Sequence, residues 1–239
     1  MSAASTGAQP KIAAFFDVDG TLCDTTIAHY YRYFMLRRLP GWRGRLWHAA
    51  FLAKCGYYLL LDRVDRLRLN VVFYRNYAGL ATAEIKSQAE DCYHDVIVPR
   101  RFVEAADAVG KHRDAGHAVV FVTGSLDFVM APLARAVGAT HVLASRLTEM
   151  DGRFTGQLAE APIGAQEKAR LMRAYAEANG TDLAQSHAYG DSMADLPMLE
   201  AVGFPHAVNP DRGLLALARA RGWPTHHWTL DHLAADPRE

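Results

Sequence analysis

The amino-acid sequence predicts an α/β fold: a Rossmann-like, doubly wound parallel sheet with a helical cap inserted after the first strand. Short apolar runs alternate with helix-like segments over the second half of the chain, which is the pattern of a parallel sheet with helical crossovers. The chain also has a helical pattern from about residue 27 to residue 108. That segment is too long for an ordinary crossover between parallel strands, so an insertion is predicted there.

Apolar runs predict five strands, at residues 12–16, 118–122, 141–144, 186–190 and 205–208. Helical periodicity predicts the helices between them, at residues 128–137, 165–179, 196–202 and 212–221. Asp151-Gly152 stands between two short alternating segments and is a turn dipeptide of β-hairpins, so a β-ribbon is predicted after the third strand.

The composition indicates a soluble globular chain without a global charge bias. The chain has 239 residues, of which 50% are hydrophobic, and 26 basic residues balance 26 acidic ones. This balance argues against a nucleic-acid partner. Cys23, Cys55 and Cys92 are widely spaced, which indicates neither a disulfide framework nor a zinc site and fits a reducing cytoplasm.

The domain organisation follows from these patterns. Residues 1–10 are small and polar, so a disordered tail is predicted there and not a signal peptide. Residues 25–99 are predicted to form the inserted helical cap, and residues 11–24 and 100–239 the core that contains the sheet. No apolar run reaches the ~18 residues that a membrane-spanning helix needs.

Two carboxylates, Asp17 and Asp19, directly follow the first predicted strand and precede Gly20. Residues i and i+2 of an extended chain point to the same side, so both carboxylates are expected to face the crevice at the sheet edge and converge on a cation or a reacting group. Gly20 permits the sharp turn that follows. The alternative is an Asx-turn, in which the aspartates only bond backbone amides.

Two further polar clusters follow later strands. Thr123-Gly124-Ser125 leads into a predicted helix, where an anion would bind well, although Ser125 would equally serve as an ordinary helix N-cap. Asp191 follows the fourth strand, and Asp195 is predicted one helical turn later on the same face. This pair would complete a magnesium site, or would only cap the helix and complement its dipole. Lys168 near a helix start is by itself typical of a solvated surface.

Taken together, the Asp-x-Asp-Gly-Thr motif, a threonine, a lysine and Gly-Asp-Ser-x-x-x-Asp occur in order at successive element ends. This arrangement resembles the haloacid dehalogenase (HAD) superfamily, and the segment from Tyr189 to Pro197 is especially similar to its phosphoserine-phosphatase-like subfamily IB. The resemblance implies a C1-type cap and a magnesium-dependent phosphomonoester hydrolase that works through an aspartyl-phosphate intermediate.

The resemblance also implies the roles of individual residues. Asp17 would be the nucleophile, Asp19 the general acid and base, and Lys168 the residue that neutralises phosphoryl charge. Thr123, Gly124 and Ser125 would bind the phosphoryl oxygens. The magnesium ligands would come from Asp17, the Asp19 carbonyl and Asp191, with Asp195 orienting the ligands.

The substrate is less well defined by the sequence. Phosphoserine phosphatases carry a glutamate shortly after the first motif, and residues 24–29 contain none. The expected substrate is a small-molecule phosphate, such as histidinol phosphate or a phosphoserine-like compound, and the expected assembly is a monomer or weak homodimer. The alternatives are a phosphatase of a lipid phosphate, a phosphotransferase, and a non-catalytic phosphate-binding module.

Within the cap, Arg37, Arg38, Arg43 and Arg45 precede the segment 47–61, which has apolar residues on nearly every helical face. The simpler interpretation is a cap helix buried against its neighbours with solvated arginines. The alternative is a basic, aromatic surface that contacts anionic lipid or a phospholipid head group. The tryptophans and histidines at positions 223–228 lack a metal-ligand pattern and are expected to serve packing.

Overall fold

The structure is a computed structural model that describes residues 11–230 apart from residue 65; between residues 62 and 66 it describes no side chains. The predicted tail at residues 1–10 lies outside the described residues.

A parallel sheet forms the centre of the molecule. In the described part of the chain the strands are β1 (Ala13–Phe16), β2 (Ala118–Leu126), β3 (His141–Ser145), β4 (Leu147–Met150), β5 (Arg153–Leu158), β6 (His187–Gly190), β7 (Phe204–Val208) and β8 (Thr225–His226). Six of these strands pair in the order β3-β2-β1-β6-β7-β8, and each pairing is parallel. The remaining two, β4 and β5, form the predicted hairpin around Asp151-Gly152. The predicted α/β sheet is therefore confirmed.

The helices are α1 (Ile27–Arg38), α2 (Trp42–Val64), α3 (Arg66–Tyr74), α4 (Thr82–Ser87), α5 (Ala89–Cys92), α6 (Val103–Asp114), α7 (Asp127–Val137), α8 (Ala165–Asn179), α9 (Leu196–Leu199) and α10 (Arg212–Arg221). Short 3-10 or π-helical turns join several of them. Helices α1 to α5 lie between β1 and α6, as the long helical pattern predicted. No helix in the described residues is long and apolar enough to cross a membrane.

Two predicted boundaries were wrong by more than one residue. Strand β2 does not end at residue 122: after a shift of register, Leu126 still pairs with Ser145 of β3, so the polar residues 123–125 belong to the strand. The helix predicted at residues 196–202 ends at Leu199, because the Gly203 amide donates to the carbonyl of Leu183 and turns the chain toward β7. Strand β8 was not predicted, since two polar residues leave no apolar run.

Apolar residues cover both faces of the sheet. Phe15 packs on one face with Met172 of α8, and Phe16 packs on the other face, stacked on Tyr189 with ring centroids 4.4 Å apart. The second face is continuous with an aromatic cluster in α1 to α3, in which the Tyr31 ring contacts Phe51 and several other rings. The helical segment is thereby anchored to the sheet by buried aromatic rings.

Five histidines form a chain of contacts on one side of the sheet. Nδ1 of His112 lies 2.9 Å from Nδ1 of His117, and hydrogen bonds of 3.1 Å link His187 to His206 and His206 to His226. Burial, as the main cause, and the neighbouring imidazoles, as a smaller one, lower the pKa of His206 to about 3 and that of His112 to about 4.

These depressed pKa values predict acid sensitivity of the fold. An unfolded histidine titrates near ~6.5, so between that pH and about 4 the unfolded chain binds more protons than the folded chain. The free energy of unfolding is expected to fall steadily as the pH falls through this window. Urea unfolding at a series of pH values measures this decline. His206→Gln is expected to flatten it, and an identical slope in that variant would contradict this explanation.

Candidate active site

A cavity of about 330 Å³ opens at the carboxyl ends of β1, β2 and β6, beneath α2 and α3. Because these strands are parallel, the polar residues that follow them reach the same edge of the sheet. Seven of the eight predicted site residues line this cavity: Asp17, Asp19, Thr123, Gly124, Ser125, Lys168 and Asp191. The eighth, Asp195, is buried beside Lys168.

The floor of the cavity is built around a buried three-charge group. Nζ of Lys168 lies 2.6 Å from the Asp17 carboxylate and 2.7 Å from the Asp195 carboxylate, and all three side chains are buried. Burial raises the pKa of Asp17 to about 6, although Lys168 acts in the opposite direction. Burial alone would lower the pKa of Lys168, but the two carboxylates raise it above its ordinary value. The lysine and Asp17 therefore both carry charge at neutral pH.

Asp195 is held differently from the prediction. Residues 193–195 form a 3-10 turn, so Asp195 does not follow Asp191 on one face of an α-helix. Its Oδ2 accepts hydrogen bonds of 3.2 Å from the backbone amides of Asp191 and Ser192, while Oδ1 accepts from Lys168. By accepting these hydrogen bonds, Asp195 holds the turn together and positions both Lys168 and the segment that carries Asp191.

The Asp19 carboxylate is surrounded by hydroxyl groups. Thr25 and Tyr30 donate to it at 2.8 Å, Ser125 at 2.5 Å, and Thr123 lies at 3.5 Å. Burial, together with Asp19, raises the pKa of Tyr30 well above its ordinary value. The phenol therefore stays protonated and acts as a hydrogen-bond donor to Asp19. These contacts differ from an Asx-turn. The alternative role of Ser125 as a helix N-cap was also wrong, because the N-cap of α7 is residue 126.

Side chains from the helical segment complete the site, and the sequence analysis missed them. Tyr30 of α1 bonds Asp19, the hydroxyl of Tyr74 donates to the Gly124 carbonyl at 2.7 Å, and Asn70 of α3 donates to the Ile163 carbonyl at 3.3 Å. A Cβ at position 124 would lie 2.9 Å from that carbonyl, so the close approach requires glycine. The available signal in the sequence was an asparagine between apolar residues of a helical pattern, but this signal did not identify its partner.

The acidic residues fit a hard divalent cation. Asp17, Asp191 and Asp195 each offer a carboxylate oxygen within 4.8 Å of the others, and oxygen ligands are those that Mg²⁺ prefers. Gly20 has a φ of +97°, and a Cβ there would lie 2.5 Å from the Asp191 carboxylate, so only glycine lets the two segments meet. Since both Asp195 oxygens bond to Lys168 or amides, Asp17 and Asp191 are the better direct ligands.

The roof of the cavity has a different character from the floor. Its apolar residues come from the start of α1 and from α2 and α3, among them Ile27, Cys55, Tyr58, Leu59, Leu69 and Phe73. Asp24 adds one acidic side chain. Within the described chain, the lining includes no basic side chain besides Lys168. A bound molecule would therefore meet charge at the floor and hydrocarbon above it.

Comparison with known proteins identifies the relatives of this chain. Residues 14–200 match the family of haloacid dehalogenase-like hydrolases. A probable phosphatase of Mycobacterium tuberculosis strain H37Rv is 38% identical over 224 residues, which cover 92% of this chain and 76% of the relative. A phosphoserine phosphatase of the same organism is 32% identical over 243 residues, covering 98% of this chain and 78% of the relative.

The solved structures give a consistent comparison. A Bordetella pertussis Tohama I protein of unknown function superposes with a TM-score of 0.79 at 29% sequence identity. The match covers 92% of this chain and 99% of the Bordetella chain. The similarity thus extends over the sheet and the helical segment together.

The buried three-charge group yields a stability prediction. Lys168→Met would leave two buried carboxylates without their cation, so the free energy of unfolding at pH 8 is expected to fall by about 3–5 kcal/mol. Without the lysine the pKa of Asp17 rises further, so the folded variant takes up protons and its deficit shrinks as the pH falls toward 5.

Urea unfolding of both proteins at pH 8 and pH 5 measures these differences. The matched control is Lys86→Met, which removes an exposed ion pair with Glu149 and is expected to cost less than about 1 kcal/mol. Equal losses in the two variants would show that the buried group adds no special stability.

Proposed function

The chain belongs to the haloacid dehalogenase-like hydrolase family, and we propose that this phosphatase is a magnesium-dependent phosphomonoester hydrolase with an aspartyl-phosphate intermediate. The observation that carries the proposal is the cavity floor. There Asp17, which directly follows β1 and pairs with Lys168, lines the cavity beside Asp191.

In the proposed first step, an oxygen of Asp17 attacks phosphorus in line with the departing alcohol. One P–O bond forms to Asp17 and the P–O bond to the alcohol breaks. Lys168, held 2.6 Å from Asp17, offsets the negative charge of the phosphoryl oxygens. Thr123, Gly124 and Ser125 line the same cavity. In the proposed complex the Thr123 and Ser125 hydroxyls, which point to Asp19 in this structure, would turn to the phosphoryl oxygens.

Asp19 is the proposed general acid and base. It would give a proton to the departing alkoxide and then take a proton from the water that hydrolyses the aspartyl-phosphate. Its hydroxyl neighbours Thr25 and Tyr30 hold the carboxyl group in a fixed orientation at the cavity wall. A carboxyl group that stays oriented through a change of protonation suits both halves of the reaction.

Asp17, Asp191 and the Asp19 carbonyl would hold Mg²⁺, while Asp195 keeps Lys168 and the 191–192 amides in position. When bound, the cation supplies the positive charge that lets an anionic carboxylate approach an anionic phosphate. The repulsion it offsets is about 4 kcal/mol for unit charges ~4 Å apart at an effective dielectric constant near ~20.

We propose a small-molecule phosphomonoester as the substrate, with histidinol phosphate and phosphoserine-like compounds as the first candidates. The apolar roof specifically favours a second candidate, the phosphate of an apolar alcohol such as a lipid phosphate. Transfer of the phosphoryl group to another alcohol uses the same first step, and product analysis with added alcohols distinguishes it from hydrolysis. We propose the cytoplasm as the compartment.

The nucleophile assignment predicts that Asp17→Asn lowers the phosphatase kcat/KM by at least ~10³-fold, because an amide cannot form the acyl phosphate. Circular dichroism is expected to show an unchanged fold. Phosphate release with magnesium, and again after chelation, measures the effect. Asp107→Asn, an exposed position on α6, is the matched control and is expected to keep full activity. Magnesium-dependent turnover by Asp17→Asn at the wild-type rate would exclude the mechanism.

The apolar roof predicts a dependence on chain length. Along a series of n-alkyl phosphates, kcat/KM is expected to rise about fourfold for each added methylene group until the roof is filled, since each buried methylene contributes about 0.8 kcal/mol. Phosphoserine and histidinol phosphate serve as polar comparisons in the same assay. A flat series, with preference for one of the polar compounds, would assign the roof to a polar leaving group instead.

A further inference from the structure

Helix α2 carries an apolar stripe on the side that faces away from the protein. The residues of this stripe, called the outer face of α2, are Trp42, Leu46, Ala49, Ala53, Tyr57 and Leu60. Their spacing of three or four residues puts them on one side of an α-helix, and all of them are exposed. The opposite side of the helix, at Gly44, Phe51 and Tyr58, is buried in the protein.

A surface helix ordinarily presents polar residues to solvent and one apolar stripe to the core. Helix α2 has apolar residues on both sides, so its outer face exposes four large apolar side chains to water, two at each end of the stripe, with Ala49 and Ala53 between them. Patches of this kind mark an interaction site in natural proteins. The charges around the patch indicate the chemistry of its partner.

The charge around the outer face is basic. Residues 37–61 include no acidic residue. Arg37 and Arg38 are paired with acids of other helices, but Arg43 and Arg45 are exposed and have no acidic partner among the described residues. The Arg43 guanidinium lies over the ring of Trp42, 5.8 Å from its centroid. The complementary partner is both apolar and anionic.

A second copy of the chain satisfies this requirement poorly. The described side chains of α2, residues 42–61, include no carboxylate that could receive Arg43 and Arg45 of a second copy in a two-fold contact through the outer face. An anionic lipid surface provides hydrocarbon for the stripe and phosphate charge for the arginines at once. The observations therefore favour lipid over self-association.

The outer face is also continuous with the roof of the cavity. Leu59 neighbours Leu60 on α2; it is exposed and at the same time lines the cavity. Leu52, about two turns earlier on the same side, is exposed as well, and Cys55 lines the cavity between them. An apolar path thus leads from the exposed stripe into the roof through Leu60 and Leu59.

We propose that the outer face of α2 docks on an anionic membrane surface, and that the enzyme takes from it the phosphate monoester of a lipid alcohol. The helix lies in the plane of the interface, with the stripe among the acyl chains and Arg43 and Arg45 at the head groups. The lipid alcohol reaches the cavity along Leu52 and Leu59. The substrate part of this proposal rests on the proposed phosphatase function, and the docking part does not.

Cosedimentation of the full chain with vesicles tests the docking. The two vesicle types are pure phosphatidylcholine and phosphatidylcholine with about one third phosphatidylglycerol, each at low and high salt. We expect binding to the anionic vesicles that weakens at high salt. The double variant Leu46→Glu/Leu60→Glu is expected to lower the partition coefficient at least tenfold.

The matched control is Met150→Glu, which introduces the same charge at a position with 66% exposure on the β-hairpin, against 65% at Leu46. It is expected to bind vesicles as the wild type does. Neither Leu46 nor Leu60 lines the cavity, so hydrolysis of a soluble aryl phosphate is expected to stay unchanged in the double variant. Hydrolysis of lysophosphatidate presented in anionic vesicles is expected to fall with the loss of binding.

Different results would contradict the docking and the phosphatase function. Absence of sedimentation with anionic vesicles at low salt, or equal sedimentation of the double variant, overturns the docking. A dimer in analytical ultracentrifugation that the double variant abolishes, without vesicle binding, assigns the face to a second copy instead. Asp17→Asn is expected to bind vesicles as the wild type does. If the wild type binds vesicles but hydrolyses neither the aryl phosphate nor lysophosphatidate, the proposed phosphatase function is contradicted and the docking is not.

Discussion

The arrangement of the site depends on the buried lysine that lies between two aspartates. Asp17, Asp191 and Asp195 bring three negative charges to one sheet edge, and Lys168 supplies one positive charge. Burial of such a group is tolerable only because the charges are paired and hydrogen-bonded. Lys168 offsets one of these charges and the Asp19 carboxylate lies at the same edge, so the edge is left with an excess of carboxylates that suits a divalent cation.

The topology explains why short sequence motifs predicted so much of this site. Asp17 and Asp191 directly follow strands, and parallel strands end at one edge, so local patterns were enough to bring the two together. The details that failed depend on strand pairing and side-chain hydrogen bonds that the short motifs do not specify. Ser125 belongs to β2 because Leu126 still pairs with β3, and Asp195 ends a 3-10 turn because its own carboxylate caps that turn.

The contacts from the helical segment could not be predicted in this way. Tyr74 meets Gly124 across 50 residues of sequence, and Asn70 meets Ile163 across 93. Neither contact has a periodic pattern, because each depends on how the inserted helices pack over the sheet. The same limit applies to α2: apolar residues on nearly every face indicate that it has partners, but only the packed structure separates the buried side from the exposed one.

The floor and the roof of the cavity come from different parts of the chain. In the proposed mechanism the strand ends supply the charges that act on the phosphoryl group, whichever alcohol is attached to it. The inserted helices supply the surface that the alcohol meets, and α2 presents one apolar side to the cavity and another to the outside. Because one helix contributes to both surfaces, the residues proposed to select the alcohol are continuous with those proposed to dock the enzyme where it meets that alcohol.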